Sequence, residues 1–74
     1  MTIKETLEFI LKSITKEDIS VTSQDADSIE LLEISAPKEI IGQIIGKEGK
    51  IIKAIRTILG ISYPTARFRI EIKE

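Results

Sequence analysis

Cysteine and histidine are both absent from this 74-residue sequence. Their absence excludes disulfide bonds, a thiolate nucleophile, a zinc site with cysteine or histidine ligands, and a histidine general base. A magnesium site built from carboxylates alone would need a cluster of acidic residues that the sequence does not show. We therefore predict that the protein is not an enzyme and uses no metal and no cofactor. A fold without disulfides is compatible with the cytoplasm, where we expect the protein to reside.

Aromatic residues and long apolar segments are also scarce. Only 4% of the residues are aromatic, and no apolar run approaches the roughly 18–20 residues that span a bilayer. Lys4, Glu5 and Glu8 interrupt the N-terminal segment, so we expect neither a signal peptide nor a membrane partner. Hydrophobic residues still make up 42% of the chain, and the net charge is only −1, a combination that excludes disorder. We expect residues 1–74 to form one small domain.

The charges are distributed unevenly along the chain. Residues 1–35 contain three lysines and eight acidic residues, a net charge of −5. Residues 36–74 contain eight lysines and arginines and four acidic residues, a net charge of +4. Local charge governs association with nucleic acid more than the total does, so the second half is a candidate nucleic-acid-binding region.

The first half predicts a helix followed by a β-hairpin. Thr2 and Glu5 have the spacing of a capping box, and isoleucine and leucine then recur at helical spacing, which predicts a helix over residues 3–14. β-branched residues predict a strand over 19–22, and a polar turn over 24–28 leads to a second strand over 28–35. The apolar pattern of the second strand changes phase after Leu31, which indicates either a bulge or burial on both faces.

The second half predicts two helices and a final strand. Pro37 suits the first turn of a short helix that ends at Gly46. A second helix is predicted over 50–59, with Gly60 as the left-handed residue after its C-terminus. Alternating apolar and charged residues predict a strand with one buried face over residues 67–73. The element order is αββααβ, an α+β fold in which three helices cover one face of three strands.

The most informative segment is the loop between the two later helices. Glycine stands at both ends of Gly46-Lys47-Glu48-Gly49, where positive φ angles and close approach of another backbone are accessible. The N–H groups at the start of the following helix favour an anion. Lys47, Lys50 and Lys53 are three residues apart and would lie on one face. Together these groups could bind several consecutive phosphates of a nucleic acid.

Three other interpretations compete for this loop. A nucleotide-binding P-loop requires G-x-x-x-x-G-K-[ST], whereas Gly42 and Gly46 enclose only three residues, and Glu48 replaces the hydroxyl residue. A helix-turn-helix DNA-binding motif also joins two short helices, but Lys50, Lys53 and Arg56 suit phosphates better than base edges. The loop could also be a simple corner between packed helices with its lysines in solvent.

The loop and the element order together resemble a type II KH domain, and the run from Gly46 to Thr57 is similar to the small bacterial single-KH RNA-binding proteins of the KhpA family. The resemblance implies a three-stranded mixed sheet and a G-x-x-G loop that holds the backbone of about four nucleotides of single-stranded RNA. It also implies a cytoplasmic RNA chaperone that pairs with a second copy or with a larger KH-domain protein. The RNA-binding residues that it implies are Ile45, Gly46, Lys47, Glu48, Gly49, Lys50, Lys53 and Arg56.

A protein-interaction or dimerisation module is an alternative function for the same fold. The acidic first half, or Phe9, which lies off the apolar stripe of the first helix, would then contact a partner. Packing of Phe9 against a loop or a strand edge is the simpler expectation for an aromatic residue.

Overall fold

Three helices and three strands make up the computed structural model, which describes residues 1–73. The elements are α1 (Ile3–Thr15), β1 (Ser20–Ala26), β2 (Ile29–Ser35), α2 (Lys38–Ile45), α3 (Lys50–Ser62) and β3 (Phe68–Lys73), with a single 3₁₀ turn (Lys47–Gly49) between α2 and α3. The predicted order αββααβ and the α+β class are confirmed.

The capping box at the start of α1 is formed as predicted. The Thr2 hydroxyl accepts from the Glu5 N–H at 3.1 Å, and the Glu5 carboxylate accepts from the Thr2 N–H at 2.8 Å. The hydrogen bond from the Thr2 N–H holds the pKa of the Glu5 carboxyl below its ordinary value. The helix runs one residue further than expected, to Thr15, and Thr15 is buried at its end while Ile14 remains exposed.

The turn of the hairpin is shorter than predicted. Strand β1 continues through the polar residues 24–26, and only Asp27 and Ser28 connect it to β2. Both have positive φ, 51° and 66°, which is the pattern of a two-residue type I′ turn whose twist matches that of the strands. Pairing with β2 extends β1 into this polar segment. A side-chain hydrogen bond supports the pairing, in which the Ser23 hydroxyl donates to the Glu30 carboxylate across the hairpin.

The sheet has the order β1-β2-β3, with β1 antiparallel and β3 parallel to the central strand β2. The predicted mixed sheet is therefore confirmed. The pairing of β2 with β1 and with β3 is uninterrupted, so β2 contains no bulge. The shift in its apolar pattern arises because apolar side chains lie on both faces of the strand. Leu32 and Ile34 are fully buried beneath the helices, while Leu31 is half-buried on the opposite face.

That opposite face also carries Ile29, beside Leu31, and is polar elsewhere. The Lys73 ammonium lies 2.9 Å from the Glu33 carboxylate, between β3 and β2. The hydrogen bond from Lys73 lowers the pKa of the Glu33 carboxyl and raises the pKa of Lys73. The core therefore lies on the helix side only, where the fully buried large side chains are Leu7, Leu11, Leu32, Ile34, Ile44, Ile55 and Leu59.

Helix α3 passes through the glycine that was expected to end it. Gly60 is helical and α3 continues to Ser62, with Tyr63 as the C-terminal cap residue and Pro64 after it. The prediction that Gly60 adopts a left-handed conformation is wrong. Tyr63, which follows this longer helix, is held by contacts to the distant N-terminal segment.

The Tyr63 hydroxyl joins the end of α3 to the start of α1. It donates to the Met1 carbonyl at 3.0 Å, and its oxygen lies 2.5 Å from the Thr6 hydroxyl oxygen, within hydrogen-bond distance. We expect Tyr63→Phe to lower the free energy of unfolding by about 1 kcal/mol, the net value of such a hydrogen bond in a partly buried site. Urea denaturation measures this change, and a variant as stable as the wild type would show that the hydroxyl contributes nothing.

Candidate nucleic-acid interface

The loop between α2 and α3 is a tight turn built on positive φ angles. Ile45 ends α2, and Gly46 follows with φ 74° and ψ 179°. Glu48 (φ 58°) and Gly49 (φ 72°) are both left-handed, and Gly49 leads directly into α3. A non-glycine residue is uncommon in the left-handed region, and such residues concentrate at functional sites.

The two glycines of the loop have different roles. A Cβ atom on Gly46 would lie 2.6 Å from the Ile51 side chain, closer than packed atoms approach. The close approach predicted at Gly46 is therefore made by the protein's own Ile51, which packs beneath the turn. A Cβ atom on Gly49 would meet only an Ile52 methyl group, at 4.0 Å, so this side of the loop is open.

The turn leaves two backbone donors without a protein partner. The Gly49 N–H donates to the Gly46 carbonyl at 3.2 Å, and the Lys50 N–H donates to the Lys47 carbonyl. The loop itself therefore uses the Gly49 N–H, which is not a free donor for a phosphate. Within residues 1–73, the N–H groups of Lys47 and Glu48 donate to no other group. Two adjacent free N–H groups can bind an anion.

Four exposed cations follow the turn at intervals of three residues. Lys47, Lys50, Lys53 and Arg56 are all solvent-exposed. In the described part of the chain, the ion pairs involve only Lys12 with Asp18 and Lys73 with Glu33, so none of the four cations is neutralised by a salt bridge. The exposed Glu48 carboxylate stands among them and weakens their field. The net charge of these five side chains is still strongly positive.

The cations continue into a groove between α3 and β3. Arg56 lines it from α3, and Phe68, Arg69 and Ile70 line it from β3. The alternation of residues 67–73 predicts one buried face, but the apolar residues Phe68 and Ile70 on that face are only half-buried because β3 is an edge strand. Arg69 is exposed, as the same alternation predicts for the charged residues of this strand. The edge position of β3, which brings these residues beside Arg56, is not readable from the pattern of one strand.

The remaining predicted site residues lie where the helices meet the loop. Ile45 and Ile52 are half-buried and pack against the core, so each exposes only part of its side chain beside the turn. Among residues 1–73, no group of three acidic side chains lies close enough to hold a metal ion. No helix in this part of the chain is long and apolar enough to cross a membrane.

The fold and the loop together define a class of protein. The order αββααβ, the mixed sheet with β2 at its centre, and a G-x-x-G turn between α2 and α3 are those of a type II KH domain. A P-loop is excluded because it follows a strand, whereas this loop follows a helix.

The family follows from comparison with known sequences. The model of the KhpA/KhpB KH domain matches residues 4–73. An RNA-binding protein KhpA of Borreliella burgdorferi is 34% identical over 71 residues, covering 93% of this chain and 87% of the relative. The RNA-binding protein KhpA of Chlamydia pneumoniae is 41% identical over 58 residues, covering 76% and 74% of the two chains. The chain belongs to the KhpA/KhpB KH-domain family.

Proposed function

We propose that the protein binds single-stranded RNA and holds the phosphate backbone of about four nucleotides at the G-x-x-G turn. The observation that carries this proposal is the pair of free N–H groups of Lys47 and Glu48 beside four unpaired cations. The N–H groups point a partial positive charge at one phosphate, and the ammonium groups neutralise its neighbours. The relatives in Borreliella burgdorferi and Chlamydia pneumoniae carry the name RNA-binding protein, which supports RNA as the ligand.

The groove between α3 and β3 supplies a place for the bases. Phe68 offers an aromatic ring on which a base can stack, and Ile70 lies beside it on the floor of the groove. Arg56 and Arg69 flank this floor, where a guanidinium can contact a base or a phosphate. A single stacking aromatic and few polar groups favour binding with little sequence preference.

Salt dependence tests how many phosphates the site neutralises. If three phosphates are neutralised, the logarithm of the association constant should fall with log[salt] at a slope of about −2, because each phosphate of a single strand contributes about 0.7. Fluorescence titration of a short pyrimidine-rich RNA at several salt concentrations measures this slope. A slope near zero would show that the cations do not contact the backbone. Equal affinity for double-stranded DNA would favour the helix-turn-helix alternative.

Binding of this kind supports a role as a cytoplasmic RNA chaperone. A protein that holds the backbone of about four unpaired nucleotides stabilises single strands over paired ones by mass action. We expect the protein to accelerate strand exchange between complementary RNA hairpins, which can be measured with and without the protein. The chemistry is that of binding only, and we propose no catalytic step.

Pairing of two KH domains would strengthen the binding of RNA. Ile58 and Ile61 on α3 are 47% and 75% exposed, an apolar surface that a second copy or a larger KH-domain protein would cover. Joining two RNA sites raises the effective concentration of each without new contacts. Light scattering distinguishes the 8.3 kDa chain from a particle of twice that mass.

A further inference from the structure

Two adjoining pockets form a surface on the side of the molecule where α1 ends and α2 begins. Asp18 and Ile19 line both pockets, and Phe9 lies in the first and Ile40 in the second. We call this region the acidic docking surface. Its apolar centre consists of Phe9, Ile19 and Ile40. Its acidic rim consists of Glu8, Glu17 and Glu39.

The apolar centre is incompletely covered by the chain. Phe9 is 67% exposed, so the expectation that it packs against a loop or a strand edge is wrong. Ile19 and Ile40 are half-buried and pack on the core from the same side. An exposed aromatic ring beside aliphatic side chains and a polar rim is typical of a protein-interaction site.

The charge of the rim selects the kind of partner. The one lysine that lines the two pockets, Lys12, is 3.1 Å from Asp18, so these two charges neutralise each other. Glu8, Glu17 and Glu39 remain without a cation among the lining residues. Lys16 and Lys38 are exposed next to Glu17 and Glu39 in the sequence but line neither pocket. The lining residues themselves have four acidic side chains and one lysine, and this excess of negative charge disfavours nucleic acid and anionic lipid. It also disfavours symmetric pairing of two copies through this surface, because their acidic rims would face each other.

We propose that the acidic docking surface binds a basic segment of another protein. Lysine or arginine side chains of that segment would meet the three glutamates, and an apolar side chain would contact Phe9 and Ile19. This inference does not depend on RNA binding at the loop. Glu39 and Ile40 lie in the first turn of α2 and Gly46 follows its last turn, so the two sites are separated by about 12 Å of helix. Protein and RNA can therefore be bound at the same time.

Selection from a library of random 12-residue peptides displayed on phage tests the proposal. The immobilised full chain is expected to enrich peptides in which lysine and arginine outnumber acidic residues and accompany an apolar residue. Glu17→Lys and Phe9→Ser are each expected to weaken binding of the enriched peptides by about tenfold or more, while Phe9→Leu retains most of the affinity. Asp25→Lys is the matched control, since it makes the same charge change at the far end of β1. We expect it to change affinity less than about twofold, as screening by salt limits distant charges.

Three results would overturn the proposal. The first is no enrichment above background. The second is enrichment of acidic peptides that RNA displaces, which would place binding at the basic loop. The third is equal weakening by Glu17→Lys and Asp25→Lys, which would show that only the net charge matters. Unchanged circular dichroism of the variants excludes misfolding as the cause, since Phe9 and Glu17 are both exposed.

Discussion

Replacing Lys47 and Glu48 together by aspartate is expected to weaken RNA binding by about tenfold or more without unfolding the protein. The change removes one cation and places a carboxylate in its position, so a phosphate at the free N–H groups meets repulsion where it met attraction. Glu48 has φ 58°, and aspartate tolerates the left-handed region, so the turn should keep its shape. Fluorescence anisotropy with a short labelled RNA measures the loss.

The chain offers a matched control for this variant. Lys16 and Glu17 have the same two side chains in the same order, both are exposed, and Lys16 is also left-handed, with φ 63°. They lie after α1, beside the N-terminal end of α2, whereas the loop follows its C-terminal end. The same double change to aspartate there should leave RNA affinity within about twofold, because screening limits the effect of distant charge. Equal losses in both variants would mean that no local phosphate site exists.

Replacing Gly46 by alanine is expected to lower the free energy of unfolding by about 2–4 kcal/mol. Two costs combine: a conformation with φ 74° and ψ 179°, which is essentially restricted to glycine, and a Cβ atom 2.6 Å from Ile51. A domain of this size has a total stability of only about 4–11 kcal/mol, so the loss is a large fraction of it. Urea denaturation monitored by circular dichroism measures the change.

Gly60 provides the comparison for that substitution. It is helical, and a Cβ atom there would meet nothing within 4 Å. Gly60→Ala should therefore stabilise the protein by about 0.5–1 kcal/mol, the difference between glycine and alanine inside a helix. If Gly46→Ala were as stable as the wild type, the turn would have to adopt another shape, and our assignment of its free N–H groups would fail.

Local patterns predicted most of the fold. The capping box and apolar stripe of α1, the alternation in β3 and the G-x-x-G turn each depend on residues within a few positions of one another. Such short-range signals are the ones that sequence carries best. They were enough to place the loop between two helices and its lysines on one exposed side.

The errors arose where distant contacts decide the local structure. The polar end of β1 is a strand because Ser23 and its neighbours pair with β2. The part of α3 beyond Gly60 leads to Tyr63, which is hydrogen-bonded to the distant residues Met1 and Thr6. The groove at Phe68 exists because β3 is an edge strand. Each feature depends on which elements become neighbours, and the sequence of one element does not contain that information.

Amide chemical shifts recorded while a single-stranded RNA tetranucleotide is added test the central claim most directly. We expect the largest shifts at the Lys47 and Glu48 amides, with smaller ones along Lys50–Arg56 and at Phe68. The amides of Phe9 and Ile19, on the acidic docking surface, should not move. Shifts absent from residues 47–53 at saturating RNA would contradict the assignment of this turn as the phosphate-binding site.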